Sequence, residues 1–85
     1  MLDSTKNFIS RFTYKPIRKK IAKKIRINAI ENTKARLAIH HQKLDDYNDE
    51  ELEIIVADEE RKIVDSLKTK SIFVILSLLG INIFV

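Results

Sequence analysis

The stretch DDYNDEEL, residues 45–52, separates two segments of helical periodicity and predicts where the chain turns. Four of the five residues in Asp45–Asp49 are Asp or Asn, the types that favour turns and helix caps. Asn48 is followed three residues later by Glu51, which is the spacing of a capping box. The neighbouring acids suit the first turn of a helix, because the helix dipole favours negative charge there. We therefore expect an acidic helix over 49–70.

The segment 49–70 has the clearest helical periodicity in the chain. Its apolar residues share one narrow face, which is interrupted only by Glu59. Because a charge on an apolar face needs a partner, we expect Arg36, Lys34 or a second subunit to supply one. The acids that we predict to dock a partner protein are Asp49, Glu50, Glu53, Asp58 and Glu59.

The segment 16–44 predicts a basic helix, with Pro16 in the first turn, where its missing N–H is harmless. Apolar residues recur every four positions at its start and every seven positions beyond Asn28, which indicates two different apolar faces or a break near Asn28. We expect this helix and the acidic helix to form a cytosolic antiparallel helical hairpin over 16–70. The residues expected in its seam are Ile30, Leu37, Leu44, Leu52, Ile55, Val56 and Ile63.

Charge is distributed unevenly along the 85 residues, although the net value is only +4. Residues 1–43 carry twelve Lys and Arg against Asp3 and Glu31, a net +10, whereas residues 44–67 carry ten acids against two bases, a net −8. The length allows one small domain, and the lack of cysteine excludes disulfides and thiolate metal sites. The chain is therefore electrically polar, and charge is the main guide to its partners.

The stretch KPIRKKIAKKIR, residues 15–26, holds seven positive charges and no acid. Isoleucines on one side and cations on the others suit the surface of an anionic membrane. The same cations would suit the phosphates of a nucleic acid, or a solvated face that pairs with the acidic helix. We predict that the residues facing the membrane surface are Lys15, Arg18, Lys19, Lys20, Lys23, Lys24, Arg26, Lys68 and Lys70.

The segment 71–85 contains no charged residue and predicts a hydrophobic C-terminal helix, continuous with the acidic helix because no Pro or Gly lies between Asp49 and Gly80. Fifteen residues reach about 22 Å, less than the hydrocarbon core of a bilayer at about 30 Å. We nevertheless favour membrane insertion over burial in a partner, an oligomer or a soluble core, since the segment is apolar on all faces; a longer hydrophobic segment cut short here is a further alternative. The predicted anchor residues are Ile72, Phe73, Val74, Ile75, Leu76, Leu78, Leu79, Ile81, Ile83 and Phe84.

The N-terminal segment 1–15 places Phe8, Ile9 and Phe12 on one helical face. If the hairpin forms, these rings and Tyr14 come level with the start of the anchor. Aromatic rings suit the interface between lipid and water. We therefore predict an amphipathic interfacial segment.

Residues with catalytic chemistry are sparse. His40 and His41 lie near Asp45 and Asp46, but two adjacent histidines point in different directions on a helix, and a third strong ligand is missing. The single glycine excludes a phosphate-binding glycine loop. We expect no cofactor, no metal, no small-molecule substrate and no enzymatic activity.

These features predict a small membrane-anchored accessory protein at the cell inner membrane, with a cytoplasmic N-terminus. Its expected partners are an anionic lipid membrane and either a larger membrane protein or a second copy of itself. A nucleic-acid or ribosome-binding module that uses residues 15–26 is the alternative, and salt-dependent binding of RNA or DNA would distinguish it. A membrane-active toxin or holin-like peptide is a third possibility.

Overall fold

The computed structural model describes residues 2–81, and the side chains of residues 5–81. Within that part of the chain the protein is helical and contains no strand, which confirms the all-α class that the helical segments of the sequence predict. Four α-helices and one short 3-10 turn at Leu44–Asp46 follow one another: α1 at Leu2–Ile9, α2 at Lys15–Ile39, α3 at Asp49–Leu67 and α4 at Ile72–Leu78.

Helix α2 begins as predicted and ends five residues earlier than predicted. Pro16 lies in its first turn. At its other end His41 takes a positive φ of 58°, and the Gln42 N–H turns back to donate to the Leu37 carbonyl at 2.9 Å. A left-handed residue just after a helix ends it, because the next N–H then bonds to an earlier carbonyl. The predicted helix over 16–44 is therefore too long, and Leu44 belongs to the 3-10 turn.

The buried residues of α2 form one row with a spacing of four positions in an unbroken helix, so a break near Asn28 is excluded. Because four residues make slightly more than one helical turn, this row shifts around the helix by about 160° from Ile21 to Leu37, in agreement with the predicted change of apolar face. The row passes through Ala29 and Thr33, which are too small or too polar to be recognised as core in the sequence. The Thr33 hydroxyl donates to the Ala29 carbonyl at 2.8 Å, so its burial leaves no unpaired polar atom. Ile30 and Leu44 are only half-buried. The buried residues of α2 are Ile21, Ile25, Ala29, Thr33 and Leu37.

Helix α3 starts with the predicted capping box. The Asn48 side chain accepts from the Glu51 N–H at 2.8 Å, and the Glu51 carboxylate accepts from the Asn48 N–H at 3.1 Å. Helices α2 and α3 pack against each other along their length. Of the seam residues expected on α3, Val56 is buried, and three are half-buried: Leu52, Ile55 and Ile63.

Helix α4 is a separate helix, and the predicted continuation of α3 into it is wrong. Helix α3 ends at Leu67, and Ser71 begins α4 by accepting from the Val74 N–H at 3.4 Å. No Pro or Gly causes this break. The change of direction buries three large side chains that a straight helix would leave exposed, each worth about 1.5–3 kcal/mol when fully buried. They are Ile75, Leu76 and Leu79.

The main core lies where α1 and α4 meet the first half of α2 and the second half of α3. Phe8 and Phe12 are buried in it, with their ring centroids 5.4 Å apart at an interplanar angle of 72°. The segment predicted to be interfacial thus places its phenylalanines inside the protein, while Tyr14 remains exposed. The buried members of this core are Phe8, Phe12, Ile21, Ile25, Val64, Leu67, Ile75, Leu76 and Leu79.

Candidate functional site

The first half of α2 presents a surface of unpaired cations, which we name the basic surface. Its six members lie within three turns because runs of two or three basic residues stand between the isoleucines of the sequence. None of them has a carboxylate of the described side chains within 4.0 Å. Four are exposed and two, Arg18 and Lys24, are half-buried. The basic surface comprises Lys15, Arg18, Lys19, Lys20, Lys23 and Lys24.

Arg26, which the sequence groups with these cations, belongs to an internal cluster. Its Nη2 lies 2.8 Å from Oε2 of Glu53, and its Nη1 lies 3.0 Å from Oε1 of Glu60. The hydrogen bond with Glu53 raises the pKa of Arg26 against the opposing effect of burial, and the same bond lowers the pKa of Glu53. This guanidinium therefore joins α2 to α3.

A second arginine, Arg36, joins the helices further along. Its Nη1 lies 3.0 Å from Oε2 of the buried Glu59 and 3.2 Å from Oδ2 of Asp58. Arg36 is thus the partner of Glu59, and Lys62 on α3 is a second at 3.1 Å. The pKa of Asp58 is lowered, first by its hydrogen bond with Arg61 and then by the one with Arg36.

These two arginines occupy three of the five acids predicted to bind a partner, which are Glu53, Asp58 and Glu59. The other two, Asp49 and Glu50, are exposed at the start of α3 and have no cation among the described residues within 4.0 Å. The available acidic surface is therefore confined to the connection between α2 and α3 and the first turn of α3.

Lys68 and Lys70 lie in the connection between α3 and α4. The Lys68 ammonium is 3.3 Å from the Asp65 carboxylate, and its carbonyl accepts from the Arg11 guanidinium at 2.9 Å. Lys70 is exposed. Lys68 is therefore partly committed to internal contacts, while Lys70 adds a free cation at the start of α4.

Helix α4 is apolar on its outer side as well as on its buried side. Phe73 is 67% exposed and Leu78 is 60% exposed, with Ile72 and Val74 less so. Half of the large hydrophobic side chains that are exposed in the described chain lie on this one short helix. Of the remaining predicted anchor residues, Ile81 is half-buried, and Ile83 and Phe84 lie outside the described residues.

Taken over the described residues, no helix is both long enough and apolar enough to cross a membrane. Because the opposite side of α4 is buried in the core, its outer side forms part of the surface of the folded protein.

Gly80 brings the end of α4 back to the basic surface. Its φ of +72° is accessible to glycine at little cost, and it lets the Ile81 N–H donate to the Leu76 carbonyl at 2.8 Å. Ile81 then lies beside α2, in a shallow groove that it shares with Lys20, Lys23, Lys24, Ile27 and Gly80. In the sequence, Gly80 stands within the uncharged segment 71–85. A glycine directly after an apolar helix was the available signal for this reversal.

The histidines that end α2, His40 and His41, are both exposed. Across the described residues, no group of three histidine or acidic side chains is placed to hold a metal ion.

Comparison with known proteins gives no match for this chain, whether with family models, with characterised sequences or with solved structures.

Proposed function

We propose that this chain is a small non-enzymatic accessory protein that lies on the surface of an anionic membrane. In this proposal the basic surface contacts the lipid head groups and the outer side of α4 enters the acyl boundary. The observation that carries it is the groove in which Lys20, Lys23 and Lys24 lie beside Ile27 and Ile81, so that cations and apolar side chains share one side of the molecule.

The distribution of cations on α2 supports this proposal, because the two arginines outside the basic surface already form ion pairs. Arg26 and Arg36 are bound to acids of α3, whereas the basic surface has no such partner among the described side chains. A basic residue close to an anionic leaflet contributes about 1 kcal/mol. Several such residues together give a binding affinity that falls as the salt concentration rises.

The apolar side of α4 supports a lipid surface over a nucleic acid. Phosphates of RNA or DNA would satisfy the basic surface equally well. They would leave Phe73, Val74 and Leu78 in water, whereas an interfacial helix places such residues among the acyl chains. An orientation in the plane of the membrane also needs no spanning length. We therefore propose a monotopic attachment, at the cytoplasmic face of the inner membrane.

The acidic end of the molecule is then directed towards a protein partner. Asp45 is exposed there in the connection between α2 and α3, and Asp49 and Glu50 are exposed in the first turn of α3. Their partner would carry a basic surface, and a larger membrane protein is the class that we propose.

Co-sedimentation with vesicles tests the membrane proposal. We expect the full chain to bind vesicles that contain phosphatidylglycerol and to bind neutral phosphatidylcholine vesicles at least about tenfold more weakly, since head-group charge supplies the attraction. The variant Lys20→Glu/Lys23→Glu should lose most of the binding. The matched control is Lys34→Glu/Lys43→Glu, which makes the same change of charge away from the groove.

The same proteins are titrated with duplex RNA at several salt concentrations. Tighter binding to RNA than to the anionic vesicles, with a steep loss in salt that follows the groove lysines, would favour the nucleic-acid alternative. Equal binding to neutral and anionic vesicles would contradict the role of the basic surface.

A further inference from the structure

An apolar strip runs along one side of the molecule and extends beyond α4 onto α2. Leu78 and Leu79 lie beside Asn28, Glu31 and Asn32 of α2, where all five line one shallow groove. The Glu31 carboxylate lies 3.5 Å from the Lys34 ammonium on the same helix. Residues spaced by seven and eleven positions share a helical face, so Ala35 and Ile39 continue the side of α2 that faces α4. Both are exposed, Ile39 by 76%. We define the apolar strip by its exposed members, Val74, Leu78, Ala35 and Ile39.

Opposite charges lie beyond the two ends of this strip. At one end are the lysines of the basic surface, of which Lys20, Lys23 and Lys24 border the groove beside Ile81. At the other end, past Ile39, Lys43 and Asp45 lie in the connection, and Asp49 and Glu50 lie in the first turn of α3, all exposed. Acids outnumber the cation at this end. Neither group is paired internally within the described side chains. The strip is therefore a pattern of cations, apolar side chains and acids in a row.

We propose that a second copy of this chain covers the apolar strip, in an antiparallel dimer with two-fold symmetry. Such a row is self-complementary when it is reversed: the cations of each copy meet the acids of the other, and the apolar parts meet in the middle. A parallel arrangement would place like charges together at both ends. Charge complementarity thus selects both the occupant and its direction.

The positions along α2 are consistent with this arrangement. A two-fold axis that crosses α2 near Asn32 places Ile39 of each copy about 10 Å from the axis, at the helical rise of about 1.5 Å per residue. Ala35 is then level with the partner's Leu78, which lies beside Asn28 and Asn32. Ile39 is level with the partner's Ile25, which is buried in its own core, so Ile39 would contact the surface above that residue. The acidic connection follows Ile39 in the chain, further from the axis, and reaches the level of the partner's basic surface.

This inference goes beyond the proposed function and does not depend on it, because it is tested without lipid. The proposed dimer interface uses the same lysines and the same side of α4 that we propose to contact the membrane. Dimer and membrane-bound forms should therefore exclude each other, and anionic vesicles should dissociate the dimer.

A charge exchange tests the dimer by sedimentation equilibrium of the full chain. Variant one is Lys20→Glu/Lys23→Glu, and variant two is Asp45→Lys/Glu50→Lys. We expect wild type to dimerise, and each variant alone to dimerise at least about tenfold more weakly, because both ends of its homodimer become repulsive. An equimolar mixture of the two variants should form heterodimers with the wild-type affinity. In these heterodimers each end whose charge was reversed meets an end of opposite charge. A monomeric wild type, or a mixture no better than the separate variants, would overturn the proposal.

Cross-linking tests the direction of pairing. Because the natural sequence contains no cysteine, only the introduced thiols can react. A chain with Ala35→Cys is mixed with a chain carrying Leu78→Cys and treated with a short thiol cross-linker. The control replaces the first chain by Ile54→Cys, which is also exposed but lies nine residues before Ile63 and so on the opposite side of α3. We expect a heterodimer from the first mixture only. No product from that mixture, or as much from the control, would contradict the antiparallel arrangement.

Discussion

The Nη1 atom of Arg26 lies 3.0 Å from Oε1 of Glu60, and Arg26 is the one cation among the described residues within 4.0 Å of that buried carboxylate. Glu59, which is also buried, has two cations, Arg36 and Lys62. The two arginines therefore differ in what their removal leaves behind. Loss of Arg26 strands a buried charge, whereas loss of Arg36 does not.

We accordingly expect Arg26→Ala to lower the free energy of unfolding by about 2 kcal/mol, and Arg36→Ala by less than about 1 kcal/mol. Urea denaturation followed by circular dichroism measures both. The double variant Arg26→Ala/Glu60→Gln should recover part of the loss, because it removes the stranded charge. Equal effects of the two single variants would contradict the assignment of Glu60 to Arg26.

Stability should fall when the protein is acidified. The folded-state pKa values of Glu53 and Asp58 are held below their ordinary values of 4.5 and 3.8, by the hydrogen bonds from Arg26 and Arg61 respectively. A group with a depressed pKa stabilises the fold above its unfolded-state pKa, and this contribution disappears as the pH falls through the folded-state value. The loss should therefore begin near the two ordinary values and continue below them.

Thermal unfolding at a series of pH values measures this dependence. The variant Glu53→Gln/Asp58→Asn should be less stable than wild type at neutral pH and should converge with it at low pH. A constant difference at every pH would show that the carboxylate charges are not responsible.

His41 occupies a position that glycine would fill with less strain. Its φ of 58° lies in the left-handed region, which is unfavourable for a residue with a Cβ atom. We expect His41→Gly to raise the free energy of unfolding by about 0.5–1 kcal/mol, because the relief of strain exceeds the entropy cost of glycine. His40→Gly is the control, because the φ of His40 is −98° and the added backbone freedom should only destabilise. The same urea titration compares the two variants.

The docking of α4 can be tested by two neighbouring residues. Ile75 is 1% exposed in the core, whereas Val74 points outwards. We expect Ile75→Ala to cost about 2–4 kcal/mol and Val74→Ala less than about 1 kcal/mol, because only the first opens a cavity. A helix that left the core entirely would give similar small values for both. Measurements in the absence of lipid keep the comparison within the folded protein.

The features that the sequence predicts correctly are those decided by neighbours along the chain. Asn48 and Glu51 are three residues apart, so their capping box can be recognised without any knowledge of the fold. Pro16 at the start of α2 is a similar case. Arg36 was among the partners expected for Glu59, because that acid interrupts an otherwise apolar face and requires a cation.

The features that the sequence does not reveal depend on tertiary contacts. The break between α3 and α4 has no Pro or Gly to mark it, and it follows from the burial of Ile75, Leu76 and Leu79. The end of α2 is marked by a histidine in a glycine-like conformation. Arg26 resembles its neighbours in the basic stretch, and only the position of α3 distinguishes it. The sequence pattern alone therefore predicts longer helices and more unpaired cations than the structure contains.

The separation of the basic surface from the acidic connection makes the molecule a permanent electric dipole. Its longest dimension is 39 Å, several times the Debye length of about 8 Å at physiological ionic strength. At that ionic strength each end senses only its immediate surroundings, and orientation is decided on contact. In dilute salt, where screening extends to about 30 Å, the field of a charged surface acts on both ends at once. The protein would then rotate during its approach and arrive with its basic end first, so its association rate should fall steeply as salt is added.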